Sequence, residues 1–272
     1  TARYGSSFSQ NGPISATIYF GGWTPSVTGK TESYNGTAYT EVADMGTARA
    51  YMSGGAGTQT AALGAGGEPG RQDETQTWDG SSWSEQSELN TAGSLMAEGG
   101  SQTLAIAVGG QNPGVPTIYT QHEAWDGSSW TETTDMSTGR YGGFAAGPTN
   151  ADVIVFGGQN PGTTNVVNVE KWNGSSWTEV NNLNEGRKFL AGSGDSSNAL
   201  SIGGDDGSYV ANVEYWNGSS WTEINNLGTA TAYTGGSGSA SAGMISGGGN
   251  PPTETKTEEF VAPAVVSTIT TS

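Results

Sequence analysis

Short apolar runs recur along the chain, and each ends in a pair of glycines. Val153-Ile-Val-Phe156 runs into Gly157-Gly158 in this way. The first glycine of such a pair stands at Gly21, Gly66, Gly109, Gly157, Gly203 and Gly247, at intervals of 45, 43, 48, 46 and 44 residues. Runs of four or five apolar residues bounded by turn formers predict buried strands, and no 3.6-residue period competes with that reading. A second pattern keeps the same beat. An aromatic-x-Gly-x-x-aromatic motif appears from Tyr34 to Tyr39, Trp78 to Trp83, Trp125 to Trp130, Trp172 to Trp177 and Trp216 to Trp221. A sixth copy is reduced to Phe260 in Thr-Glu-Glu-Phe, 44 residues after Trp216.

A fixed period of about 45 residues predicts a repeat architecture. Each unit reads as four strands. Strand a is a Gly/Ala/Ser-rich stretch such as Tyr141 to Ala146, and strand b is the apolar run. Strand c leads to the first aromatic, as from Val166 to Trp172, and strand d starts at the second, as in Trp177-Thr-Glu-Val180. Asn-Gly and Asp-Gly between c and d are strong hairpin signals, because both residue types tolerate positive φ. A lone four-stranded sheet cannot bury both faces, so six such units predict a ring of blades. The expected fold is all-β: one six-bladed β-propeller of four-stranded antiparallel blades over residues 1–272. The repeats fall at about 1–46, 47–90, 91–136, 137–184, 185–228 and 229–272. Small residues in strand a allow close backbone approach at the crowded axis.

Composition sharpens this picture. Glycine is 45 of 272 residues with no Gly-X-Y period, which excludes collagen and fits many tight turns. Nine Trp, eight of them at regular spacing, supply the core that a 33% hydrophobic content would otherwise deny. The formal charge of −17 argues against nucleic acid and anionic membranes as partners. There is no cysteine, hence no disulfide or thiolate chemistry, and no apolar run approaches a membrane span. The chain begins at Thr1 without a signal-peptide pattern, which suggests a processed or trimmed product that could have lost an address.

The three linked features resemble the kelch repeat: an arginine opening strand a, an apolar run into a double glycine, then spaced aromatics. The arginines are Arg3, Arg49, Arg140 and Arg187, lying 18, 17, 17 and 16 residues before their glycine pairs; Gly93 and Thr231 take this place in repeats three and six. The near-identical Trp-Asn-Gly-Ser-Ser-Trp-Thr-Glu copies are also similar to kelch-like proteins of bacteriophage virions and bacterial surfaces. That resemblance implies an extracellular, virion or cell-surface setting, with protein subunits of a larger particle or a host surface glycan as partner. Kelch rings often close by strand exchange. Here the N-terminus supplies strand a of repeat one, and Val265 to Thr270 could supply strand d of repeat six, so exchange is not required.

Candidate chemistry is sparse. The b–c loops vary most while the c–d turns stay uniform, so the b–c face is the expected recognition surface. Trp23, Tyr119 and Tyr209 are its expected aromatic contacts. Arg3, Arg49, Arg140 and Arg187 should stand at the channel mouth on the same face. Kelch-type substrate adaptors use arginines near that rim for acidic peptides, which makes these four candidate ligand-binding residues; the competing reading is that each bonds a neighbouring carbonyl or carboxylate. No cofactor is expected, and no metal. Copper sites of the galactose oxidase kind need a Cys-linked Tyr and His ligands, whereas this chain has no Cys and one His, His122, which reads as a solvated residue on strand c. Asp205-Asp206-Gly207 reads as a turn, and the Asn-Gly-Ser/Thr sequons are explained by their hairpins. We therefore expect a non-enzymatic binding or structural module. The alternative is a glycan-active enzyme such as a sialidase-like glycoside hydrolase, with a Tyr nucleophile and an arginine cluster.

Overall fold

A computed structural model describes residues 2–52, 55–69, 73–112, 117–249 and 257–260. Six antiparallel sheets form the six blades of a β-propeller. The first five have strands a to d in chain order: Ser7–Phe8, Thr17–Phe20, Thr31–Tyr34 and Tyr39–Glu41 in blade 1; Ala56–Thr58, Ala61–Ala65, Thr75–Trp78 and Trp83–Glu85 in blade 2. Blade 3 has Ala97–Ser101, Leu104–Val108, His122–Trp125 and Trp130–Glu132; blade 4 has Phe144–Thr149, Asp152–Phe156, Val169–Trp172 and Trp177–Val180. Blade 5 has Ala191–Gly194, Ala199–Ile202, Val213–Trp216 and Trp221–Glu223. In blade 6, Gly235–Ser239, Ala242–Ser246 and Thr257–Phe260 are strands a to c; the expected strand d from Val265 to Thr270 lies outside the described residues.

Strand a starts later than the sequence suggests, at Phe144 rather than Tyr141. Gly142 takes a φ of 64°, which breaks the extended backbone, and Tyr141 pairs separately with Gln159 beyond the double glycine. Strand c likewise begins at Val169 and not Val166, because Val166 bonds Gly158 inside the b–c loop. The aromatic pairs stand directly across the c–d hairpin, as Trp172 opposite Trp177 with ring centroids 5.3 Å apart. Each turn is closed by its Asn or Asp. Asn173 Oδ1 accepts the backbone N–H of Ser175 and of Ser176, both at 3.0 Å, and Asp126 does the same for Ser128 and Ser129. One acceptor oxygen suffices, which is why Asn and Asp interchange here.

Blades stick together through apolar layers and a repeated set of polar joints. Phe144, Phe156, Leu190, Trp216 and Trp221 form one such layer between blades 4 and 5. A buried Trp removes roughly 150–250 Å² from water, about 4–6 kcal/mol of transfer free energy. Its indole N–H still needs an acceptor. Trp78 and Trp125 donate to the carbonyls of Gln59 and Gln102 in their own a–b turns, at 2.9 and 3.0 Å. The side chain of Gln102 in turn donates to the carbonyl of Trp78 in the preceding blade at 2.6 Å, so one turn residue serves two blades.

The double glycine is the main joint. The second glycine of every pair donates its N–H to the residue that opens the next blade: Gly22 to Arg49, Gly67 to Gly93, Gly110 to Arg140, Gly158 to Arg187 and Gly204 to Thr231, at 2.7–3.0 Å. A Cβ on Gly21 would lie 2.5 Å from the Arg49 carbonyl, and its φ is 65°, so no other residue fits.

Candidate functional site

The expected ring of exposed arginines does not form. Arg3, Arg49, Arg140 and Arg187 are all buried, at most 1% exposed. Nη1 of Arg140 donates to the carbonyls of Asn168 at 2.6 Å and Gly157 at 3.2 Å, while Nη2 lies 3.0 Å from Glu170 Oε1. Arg187 repeats this with Asn212, Gly203 and Glu214, and Arg3 with Lys30 and Glu32. Arg49 bonds the carbonyls of Gly66 and Glu74. The guanidinium fork thus staples the two ends of its own blade's b–c loop, so the structural reading of these residues replaces the ligand-binding one. Burial pulls the pKa of Arg49, Arg140 and Arg187 below the usual arginine value, and the neighbouring carboxylates oppose that shift. Desolvated cations need such partners.

The carboxylates were legible but passed over. A Glu or Gln stands two residues before the first aromatic in every repeat: Glu32, Gln76, Glu123, Glu170, Glu214 and Glu258. Besides its arginine, Glu170 accepts the backbone N–H of Ser137 and Thr138, and Glu123 accepts Asn90 and Thr91. The carboxylate therefore fixes the connection leading into its own blade, with or without an arginine. In blade 3, which has no arginine, Tyr119 packs 3.4 Å from where a Cβ on Gly93 would be. Tyr119 is therefore half-buried filler. Trp23 is also half-buried, its backbone bridged to Tyr4 and Val27.

What gathers at the axial mouth instead is a set of aromatic rings. The six equivalent residues Gly5, Tyr51, Leu95, Gly142, Phe189 and Tyr233 all have positive φ, between 53° and 64°. Each donates its N–H to the carbonyl of the one before: Tyr51 to Gly5, Leu95 to Tyr51, Gly142 to Leu95, Phe189 to Gly142, Tyr233 to Phe189 and Gly5 to Tyr233, at 2.7–3.1 Å. A closed belt of six hydrogen bonds results. Left-handed backbone costs a non-glycine residue about 1–2 kcal/mol, and four of the six bear it. That backbone turns the side chains onto the mouth. Tyr4, Tyr51 and Tyr233 meet pairwise at 6.1–6.3 Å, Phe189 stacks on Tyr233 at 4.1 Å, and Tyr209 meets Tyr233 edge-on at 6.3 Å. Gly5 and Gly142 leave the space that the rings of Tyr51 and Phe189 fill. Of the three aromatics expected to bind, only Tyr209 joins this cluster.

Tyr51, Phe189 and Tyr233 are half-buried. Burial raises the pKa of Tyr51 and Tyr233, with Tyr4 and Tyr209 as the next contributors respectively, so both stay neutral phenols at physiological pH. Burial also raises the Glu68 carboxyl, which lies near Tyr51 and accepts a bond from Ser94 at 3.2 Å. Tyr51, Phe189 and Tyr233 line a cavity of about 40 Å³ together with Leu95, Phe144 and Leu190. Deeper along the axis, blade 1 plugs the channel: Gln10 donates to the Glu98 carbonyl at 2.7 Å and Asn11 to that of Gly100 at 2.6 Å. A funnel of about 420 Å³ opens at the opposite face, and Ser101, Asp195 and Ser239 in its lining hold turns, as Asp195 does for Ser197 and Asn198.

His122 is a second correction. It is fully buried, 4.6 Å from the Trp172 ring and 5.3 Å from Trp177, with Nδ1 2.7 Å from Thr133 Oγ1. The first residue of strand c faces the next blade and not solvent. Burial depresses its pKa to about 4. Asp205 and Asp206 form the expected turn, accepting Gly207 and Ser208. Among the described residues, no group of three or more His, Asp or Glu is placed to hold a metal ion.

No protein-family model matches this chain, and no curated protein matches its sequence. In structure it is similar to the solved structure of YjhT, with a TM-score of 0.80 over 97% of this chain and 96% of that one. The two are 12% identical, so the likeness establishes the six-bladed propeller fold and nothing finer.

Proposed function

We propose that this chain is a non-enzymatic, kelch-like binding and structural propeller of a virion or bacterial cell surface, engaging a glycan or protein partner through its b–c face. The carrying observation is the half-buried aromatic cluster at the axial mouth, held by backbone that costs stability at Tyr51, Phe189 and Tyr233. The belt fixes the backbone, and three of its six positions carry aromatic rings where glycine would avoid the strain, which supports a use for those rings. The sialidase-like alternative needs arginines converging in open space. The four described arginines are buried and engaged with carbonyls, three of them also with a carboxylate.

The test pairs a glycan array with oxidative footprinting of the parent particle or cell surface. Protection of Tyr51, Tyr209 and Tyr233 in the bound state supports the reading. Protection confined to the outer d strands, or release of reducing sugar by the purified chain, overturns it.

A further inference from the structure

We infer that the axial mouth receives a cationic side chain, Lys or Arg, presented by a partner protein; this rests on the b–c face being the binding surface. Electron-rich ring faces attract cations, most of all where carboxylates stand nearby. Tyr4, Tyr51 and Tyr233 form a three-ring cluster whose planes are tilted 59–72° to one another. Phe189 stacks on one face of Tyr233 and Tyr4 is buried, so no broad open ring face is left for a sugar to lie on. A compact cation needs only the partial faces of Tyr51 and Tyr233.

The rim already shows this chemistry. Lys188 Nζ lies 5.2 Å from the Phe189 ring centroid. Around it the charges are acidic. Glu68 acts on Tyr51, and Asp205 on Tyr141 and Tyr233. The four described arginines contribute little here, because they are buried in their blades and three are paired with Glu32, Glu170 and Glu214. The chain as a whole carries −17. Its field draws cations toward the mouth and repels anions. The cavity that the rings line, about 40 Å³, has room for a few waters at most. The cationic group must therefore sit on the rings and not within them. A ligand held so shallowly needs contacts from the surrounding loops, which a protein segment supplies and a free ammonium does not.

The experiment titrates the full chain with acetyl-Gly-Lys-Gly-amide, acetyl-Gly-Glu-Gly-amide and tetramethylammonium chloride, following tyrosine ring resonances by NMR. Saturable shifts of Tyr51 and Tyr233 are expected with the lysine peptide, markedly weaker shifts with tetramethylammonium, and none with the glutamate peptide. Tyr233→Gly should weaken binding about tenfold, Tyr51→Phe should keep it, and Glu68→Gln should weaken it severalfold. Tyr233→Gly suits the purpose because it relieves a positive φ and should fold. Equal response to the glutamate peptide, or no saturable shift with lysine, overturns the inference. If a glycan then binds with footprints on Tyr51 and Tyr233, the face reading stands and the cation alone is wrong. If lysine-peptide shifts persist in Tyr233→Gly and fall on the outer strands, both fail.

Discussion

Gly248 donates its backbone N–H to the carbonyl of Arg3 at 3.2 Å, joining the last blade to the first. This is the same bond that Gly22 makes to Arg49 and Gly158 to Arg187. Gly5 to Tyr233 closes the inner belt at 3.1 Å, and Tyr39 Oη lies 3.4 Å from Thr257 Oγ1, where Trp83 and Trp130 use Thr31 and Thr75 in blades 2 and 3. The closing interface is thus of the same kind as the internal ones, and the described strand Thr257–Phe260 pairs with Ala242–Ser246 of its own blade.

It follows that closure should be as sensitive as any internal joint. A Cβ on Gly247 would lie 2.6 Å from the Arg3 carbonyl, and one on Gly109 2.5 Å from that of Arg140, both at φ 68°. Gly247→Ala and Gly109→Ala should each cost about 2–4 kcal/mol, combining left-handed strain with a backbone clash. Urea unfolding midpoints would measure this. A much smaller loss for Gly247→Ala would show a looser closing interface.

The aromatic pair should divide unequally. Trp172 is 3% exposed and Trp177 is half-exposed. Trp172→Ala should cost about 3–5 kcal/mol and Trp177→Ala about half as much. Thermal melts of the two variants should therefore be well separated, and coincident melts would refute the assignment.

Removing one member of a buried ion pair strands the other. Arg140→Ala should cost about 3–5 kcal/mol by leaving Glu170 buried without its cation. The double variant Arg140→Ala, Glu170→Gln should recover part of that loss, since a neutral amide at 170 strands no buried charge. Denaturation of the single and double variants gives the coupling directly.

His122 should make stability depend on pH. Its folded pKa of about 4 lies below the unfolded value near 6.5. Below 6.5 the unfolded chain takes up a proton that the folded chain refuses, so this contribution is complete above 6.5 and is lost as pH falls toward 4. The shift corresponds to about 3 kcal/mol. His122→Thr, which copies the residue at this position in blades 1, 2 and 6, should flatten the stability profile between pH 6.5 and 4.

The blade count, the strand order and the hairpins were readable from the chain alone, because apolar alternation, Asn-Gly turns and paired glycines act over a few residues. The period then counted the blades. The site was not readable in the same way. An arginine opening strand a looks alike whether it faces solvent or a carboxylate; only the fold brings Glu170 to Arg140. His122 looked solvated because its cover, Trp172 and Trp177, comes from the next blade. The mouth depended on backbone sign. Nothing local marks Tyr51, Leu95, Phe189 and Tyr233 for positive φ. That conformation is imposed by a belt of bonds, each running between neighbouring blades, that exists only once the ring is closed.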